Sequence, residues 1–456
     1  MLTRILILGG GFGGVYTALH LQRIFKNDPN TEITLVDREN YFLMTPLLFE
    51  AGSGVIEPRH AVTPIRTMLN KARFVEADIQ QIDLEGKIVH ARHSPGAKSY
   101  SLPYDHLVLA LGGVTNTKLI PGSENAFTFK TLADAIFLRN HIIDLFEQAD
   151  VETDAAVKQK LLTFVIIGAG LVGTELTGEL TEFAKHLTKT YHHIEPGELK
   201  FILIEAGPML MPEMERDLAN YAVRVFEKRG VQILTNTRAQ KIEPGKVFLP
   251  QNGDAPAITL ESETILLVAG VTPSPLLTAL PLDKDKKGRL MVDSAMRNKQ
   301  RPEIWSLGDC AHIPDPQGNP YPSLAQHSLR QAKVLARNIA SAIRTPDQPL
   351  EPFVYHTMGM LASLGNYRGA GRVLKMKIKG FPAWWVWRTY YLFQMPRWSR
   401  RFRIMLDWTI ALFFHNDVVK LDLFGERHPT TRRPGAEEST PMPPPAGADS
   451  SNSQSH

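Results

Sequence analysis

Two glycine-rich runs have the spacing needed to hold phosphate. The first is Gly9-Gly10-Gly11-Phe12-Gly13-Gly14, and the second is Gly168-Ala169-Gly170-Leu171-Val172-Gly173. In each, the first glycine allows a tight turn and the second lets the backbone approach a pyrophosphate. The third lets a helix pack closely on a strand. The N-terminus of that helix offers free N–H donors and the positive end of its dipole. Each run leads on to an apolar stretch that ends in an acid, Asp37 or Glu205. A carboxylate there can accept hydrogen bonds from ribose hydroxyls and repels a 2′-phosphate, so the second site favours NAD(H) over NADP(H).

The elements that position these residues are short buried strands. Ile5-Leu6-Ile7-Leu8 runs into the first glycine turn, and Phe164-Val165-Ile166-Ile167 into the second, about 159 residues later. A helix follows each turn. The second is expected over 174–193, because Glu205 falls 32 residues after Gly173. Leu107–Leu111, Ile265–Ala269 and Ile304–Leu307 read as further buried strands, each ending near glycine. Strands alternating with helices imply α/β architecture with parallel sheets. The expected fold is two Rossmann-like dinucleotide-binding domains, one for FAD and one for NADH. A single such site would suit a simple dehydrogenase. Two imply a flavin and a nicotinamide.

Three further segments carry a resemblance. These are Tyr41-Phe42-Leu43-Met44-Thr45-Pro46-Leu47-Leu48, Gly270-Val271-Thr272-Pro273-Ser274-Pro275 and Ile304-Trp305-Ser306-Leu307-Gly308-Asp309-Cys310-Ala311. With the two glycine motifs, the chain resembles the type II NADH dehydrogenases over about residues 3–425. The resemblance implies FAD ligands at Gly9, Gly11, Phe12, Gly13, Gly14, Asp37, Arg38, Thr45, Pro46, Ala110, Gly112 and Asp309. It implies NADH ligands at Gly168, Gly170, Gly173, Glu205 and Gly270. Family members reduce a membrane quinone with a segment of the pattern A-Q-x-A-x-Q/E. Here Ala325 and Gln326 match it, while Ser328 and Arg330 depart from it. Ala325, Gln326 and Arg330 are the expected quinone residues, a structural helix start being the other reading. Glu175 corresponds to a glutamate where nicotinamide, flavin and quinone meet, and could relay protons. Glu179 lies one helical turn on. Both could instead simply complement the helix dipole.

The 456 residues exceed one ordinary domain, and 43% hydrophobic with 21% charged residues excludes a wholly disordered chain. The single cysteine, Cys310, excludes an intramolecular disulfide. It also excludes the cysteine relays of disulfide and sulfide:quinone reductases. Cys310 itself reads as a packing residue, and no cluster has metal-ligand spacing.

A net charge of +4 conceals a gradient. Ten basic residues and no acid lie between Asn366 and Leu406, leaving 41 basic against 47 acidic residues, about −6, elsewhere. Five of the six tryptophans lie in or beside that stretch, at 384, 385, 387, 398 and 408. Phe381–Phe393 and Arg397–Phe414 are too short or too charged to span a bilayer. Their composition suits amphipathic helices lying in a membrane interface. A dimer contact or core cover is the alternative, and binding of nucleic acid is excluded by the two cofactor sites.

The expected division is an FAD-binding domain at 1–120 and 287–350 and an NADH-binding domain at 121–286. A membrane-association region at 351–427 and a disordered tail at 428–456 follow. The expected function is hydride transfer from NADH to FAD and two electrons to a membrane quinone, without proton pumping. The expected enzyme is a homodimer on the cytoplasmic face of the cell membrane, held to an anionic lipid surface. A soluble diaphorase and a redox-sensing FAD/NAD-binding protein are the alternatives.

Overall fold

The apolar runs read from the sequence form two parallel sheets. In the first, the strands run in the order Ile304–Ser306, His106–Leu109, Thr3–Leu8, Thr31–Asp37, Arg73–Glu76. In the second they run Val231–Leu234, Lys200–Ile204, Thr163–Ile167, Thr264–Leu267. Every neighbouring pair in both sheets is parallel. Such strands are buried on both faces, which is why they read as continuous apolar runs. The computed structural model describes residues 2–93, 98–250, 257–357, 359–414 and 418–421. The expected tail at 428–456 lies outside the described residues.

The helix Phe12–Ile24 packs against Ala325–Arg344 beside the first sheet. A short antiparallel pair, Gly113–Thr115 with Val271–Pro273, joins the two halves. The helix after the second glycine turn spans Leu171–Leu187, not 174–193. The extra chain length before Glu205 is a turn and the 3₁₀ segment Pro196–Glu198. Thr188 and Thr190 have low helix propensity, and Pro196 cannot extend a helix interior.

The chain then builds an antiparallel sheet of Gly359–Ser363, Gly369–Val373 and Met376–Gly380. Two helices follow, Phe381–Gln394 and Trp398–Phe413. Pro382 in the first turn fits a helix start, because its missing N–H has no helical partner to lose. Ala383, Trp384 and Trp387 turn inward, whereas Phe381, Trp385 and Phe393 are exposed. In the last helix Ile404 is buried, and Trp398, Phe402, Ile410, Leu412 and Phe413 are exposed. Among the described residues, no helix is long and apolar enough to cross a membrane.

Candidate active site

The carboxyl ends of the first sheet converge on one edge. Leu8 pairs with Val36 and Leu109, and Leu109 pairs with Ser306. Gly9, Asp37, Ala110 and Asp309 therefore emerge close together, where parallel α/β sheets bind their ligands. Gly9 has φ +109°, and a Cβ on it would lie 2.2 Å from the Ala110 carbonyl oxygen. A Cβ on Gly14 would lie 1.8 Å from the Gly9 carbonyl oxygen, and Gly13 packs against Leu307. Gly11 and Gly112 differ, for a Cβ on either would meet nothing within 4 Å. Packing demands Gly9 and Gly14, while Gly11 and Gly112 border open space. That clearance, beside a helix N-terminus and an acid, fits a dinucleotide such as FAD.

Asp37 is fixed by backbone donors. The Gly10 N–H donates to its Oδ2 at 2.5 Å and the Glu39 N–H to its Oδ1 at 2.8 Å. Burial raises its pKa, and these two donors oppose the rise. Arg38 beside it is exposed. Thr45 and Pro46 open the 3₁₀ turn Thr45–Leu47, which leads into the buried helix Leu48–Gly52. Phe12 packs edge-on against Phe42, with centroids 5.0 Å apart. Asp309 faces Lys130, which the sequence did not single out. Burial raises the Asp309 carboxyl and lowers the Lys130 ammonium, and each charge opposes the other's shift. The Gly308 N–H donates to Gln331 Oε1 at 2.9 Å, so the helix Ala325–Arg344 braces this turn.

The second glycine turn repeats the device. Gly168 has φ +106°, and a Cβ on Gly173 would lie 1.8 Å from the Gly168 carbonyl oxygen. A Cβ on Gly170 would approach Glu213 Oε1 alone, at 3.7 Å. The Ala169 N–H donates to Glu205 Oε2 at 2.7 Å, as Gly10 does to Asp37. Gly270 is exposed, with φ +73°, just before the strand Val271–Pro273.

Between these cradles lies a group of buried carboxyls. Glu175 and Glu179 share the inner face of the helix Leu171–Leu187. The Ser363 N–H and the Trp387 indole N–H both donate to Glu175 Oε1, at 3.0 and 2.9 Å. Burial pushes the Glu175 pKa up to about 8 against those donors, and the neighbouring Glu179 and Glu50 charges add to the rise. Glu179 is raised too, by burial first and then by Glu50. Its donors are the Ser53 and Ser363 hydroxyls, at 3.3 and 3.4 Å. Glu50, missed in the sequence, is completely buried. Its Oε1 receives Arg388 Nε and Nη2, both at 2.8 Å, and its Oε2 receives the Trp408 indole N–H at 2.7 Å.

A cavity of about 250 Å³ is walled in part by Leu171, at the start of the helix that carries Glu175 and Glu179. Its walls include Phe12 and Met44 from the first half, Ala325, Gln326 and Arg330, and Tyr391 from the aromatic helix. The Arg330 guanidinium lies 4.4 Å from the centre of the Tyr355 ring and donates to the Gln326 carbonyl at 2.8 Å. Gln326 Nε2 donates to the Gly359 carbonyl at 3.1 Å, and its Oε1 accepts from the Tyr355 hydroxyl at 3.2 Å. The long cation is thus folded back along its own helix. Ser328 is buried and faces Gly308. Cys310 is buried and donates to the carbonyls of Leu109 and Leu307, in keeping with a packing role.

The basic stretch is partly neutralised by the body. Arg372 and Lys377 pair with Glu215, Lys377 and Lys379 with Asp217, and Arg388 with Glu50. The expected lipid-facing surplus therefore rests on fewer cations than the composition suggests, chiefly Arg397, Arg400, Arg401 and Arg403. Trp384 and Trp387 serve the interior rather than the surface.

Residues 3–332 match the model of the pyridine nucleotide-disulphide oxidoreductase family. The chain is 30% identical over 423 residues to the probable NADH dehydrogenase of Dictyostelium discoideum, covering 91% of this chain and 90% of that one. It is 29% identical over 418 residues to the type II NADH:quinone oxidoreductase Ndh of Mycobacterium tuberculosis, covering 90% and 88%. Among solved structures, NDH2 from Plasmodium falciparum in complex with NADH superposes with a TM-score of 0.85. That match covers 92% of this chain and all of the other at 21% identity, which is a likeness of fold.

Proposed function

The chain belongs to the pyridine nucleotide-disulphide oxidoreductase family, and within it to the type II NADH dehydrogenases; from that premise we propose that it oxidises NADH and reduces a membrane quinone through bound FAD. NADH, a quinone and one proton give NAD⁺ and the quinol. When bound, FAD supplies the two-electron relay between the two substrates. With one cysteine in the chain, no cysteine pair within it can serve as that relay.

The residues divide the work. Gly9, Gly11, Phe12, Gly13, Gly14, Asp37, Arg38, Thr45, Pro46, Ala110, Gly112 and Asp309 hold the flavin nucleotide. Gly168, Gly170, Gly173, Glu205 and Gly270 hold NADH. Ala325, Gln326 and Arg330 border the quinone, and Glu175 holds a proton beside it. The observation that carries the quinone reading is the cavity itself. It is walled by Phe12 of the first glycine turn, by the Ala325–Arg330 helix start and by Tyr391 of the aromatic helix. One small, mostly apolar chamber thus touches both the flavin cradle and the segment expected at the membrane.

The same reading takes 1–120 with 287–350 as the FAD domain, 121–286 as the NADH domain and 351–427 as the membrane-association region. The exposed aromatics of the last two helices and the nearby arginines support peripheral attachment to an anionic lipid surface. A homodimer, the cytoplasmic face of the membrane and the absence of proton pumping complete it. Purified protein should be yellow, bleach with NADH, and regain its colour with a quinone. Bleaching that no quinone reverses would leave a diaphorase. Colourless protein with no retained flavin would sink both readings.

A further inference from the structure

We propose that Arg388 is a positioning residue that, through Glu50, sets how many protons the Glu175–Glu179 pair holds. This deepens the quinone reading, because it concerns the proton supply of the same cavity.

Three carboxyls are buried together, and the cations facing them are few. From the Leu48–Gly52 helix comes Glu50, and from Leu171–Leu187 come Glu175 and Glu179. From the aromatic helix Phe381–Gln394 come Arg388 and Tyr391. Arg229 also acts on Glu179 from a distance, but it is paired with Glu182 at 3.3 Å and bonded to the Leu364 carbonyl at 2.5 Å. Arg388 gives both of its contacts to one oxygen of Glu50. It is held there from both sides, 4.2 Å from the Trp384 ring centre and 4.7 Å from that of Trp408. Trp408 in turn occupies the second Glu50 oxygen. Glu50 therefore has a charged donor on one oxygen and a neutral donor on the other, whereas Glu175 and Glu179 have neutral donors only.

Buried carboxylates without a paired cation are held as neutral acids. One guanidinium for three carboxyls thus leaves protons on the other two, Glu175 and Glu179. Tyr391, a wall of that cavity, senses the Glu175 charge and packs edge-on against Trp387 at 5.0 Å. Loss of the Arg388 charge makes ionised Glu179 less favourable. Loss of the Glu50 charge does the reverse for both glutamates. Arg388→Gln also leaves Glu50 without its cation, so Glu50 itself must take up a proton, whereas Glu50→Gln only relieves the pair; a merely structural role would do neither.

The test is an infrared titration of the protonated carboxyl stretch in the flavin-loaded, full-length protein. The variants are Arg388→Gln, Arg388→Lys, Glu50→Gln and the double variant Glu50→Gln/Arg388→Gln. Arg388→Gln is expected to add a third protonated carboxyl, Glu50, to the stretch, and Glu50→Gln to lower the titration midpoint of the other two by about one pH unit. Arg388→Lys and the double variant are expected to stay near the wild type. If Arg388→Gln fails to fold, the midpoint of Glu50→Gln still tests the proposal against Arg388→Lys and the double variant, which leaves neither charge unpaired. An unchanged number of protonated carboxyls in Arg388→Gln, or an unmoved midpoint in Glu50→Gln, overturns the proposal. Infrared shifts as expected in a protein that no quinone reoxidises would sink the quinone reading and leave this one standing.

Discussion

The Trp387 indole N–H lies 2.9 Å from Glu175 Oε1, joining residues 212 positions apart in the chain. An aromatic residue expected at a lipid surface thus turns inward and caps a buried carboxyl of the candidate site. The bond favours the ionised carboxylate, and burial outweighs it. Replacing Trp387 with Phe keeps most of the ring and removes the donor. Glu175 should then hold its proton to higher pH. The alkaline limb of flavin reoxidation by quinone is expected to move up by about one unit, since a hydrogen bond to a charged group is worth about 1.5–3 kcal/mol. Stopped-flow reoxidation between pH 6 and 10 measures this. An unmoved limb would mean that Glu175 does not supply the proton.

The same carboxyl links stability to pH. Its folded pKa is about 8 against an ordinary 4.5, so the folded state keeps a proton that the unfolded chain releases. This contribution is fully present below about 4.5 and is lost as pH rises through about 8. Glu175→Gln has no such titration. Wild-type Tm should therefore fall more than that of the variant between pH 5 and 9. Parallel melting curves across that range would contradict the burial argument.

Much of the cofactor architecture is legible in the sequence because each demand falls on one residue type. Only glycine tolerates φ +109° at position 9 with the Ala110 carbonyl so close, and an acid must follow the next strand. The pairing of Glu50 with Arg388 spans 338 residues, and no local pattern reveals it. A signal did exist. Glu50 is a lone acid in the apolar run Leu47-Leu48-Phe49-Glu50-Ala51, and Arg388 is the only charge in Phe381–Phe393. Two lone opposite charges in apolar segments are expected to meet, because neither is otherwise tolerated in a core. Composition also cannot tell which face of an aromatic helix turns inward, so it does not separate the buried Trp384 and Trp387 from the exposed Trp385 and Trp398.

The two glycines of the first turn should fail differently. Gly14→Ala forces a Cβ to within 1.8 Å of the Gly9 carbonyl, so the fold itself must shift. A loss of roughly 3 kcal/mol or more is expected, at the upper end for overpacked sites. Gly11→Ala meets nothing within 4 Å and should melt within a few degrees of the wild type without cofactor. It should nevertheless retain about tenfold less flavin, because its methyl enters the space kept for the pyrophosphate. Apo-protein melting and the ratio of flavin to protein absorbance separate the two. Equal flavin retention in Gly11→Ala and the wild type would remove the first turn from the flavin site.

Glu205 should govern the choice of nucleotide. Its Oε2 is held by the Ala169 N–H at 2.7 Å and its Oε1 by the Gly207 N–H at 2.8 Å, so the carboxylate is fixed at the turn. Glu205→Ala removes both the ribose acceptor and the charge that repels a 2′-phosphate. The ratio of kcat/KM for NADH over NADPH is expected to fall at least tenfold, with flavin content unchanged. The same ratio in both proteins would place the ribose elsewhere.

The outer face of the last helices should govern attachment, and the structure dictates how that is tested. Cutting the chain after Leu364 would remove Trp387 from Glu175 and Arg388 from Glu50, uncovering buried carboxyls along with the surface aromatics. Point substitutions avoid this. Trp398 is 73% exposed, Phe402 57% and Phe413 76%, and all three lie on Trp398–Phe413. Replacing Trp398 and Phe402 with Glu removes apolar burial and adds repulsion from anionic headgroups. Co-sedimentation with anionic liposomes at low salt should drop at least tenfold, while NADH-to-dye activity stays within about twofold of the wild type. Sedimentation that survives both substitutions would show that this face does not meet the lipid. Loss of dye activity in step with sedimentation would mean that the helix serves the site itself.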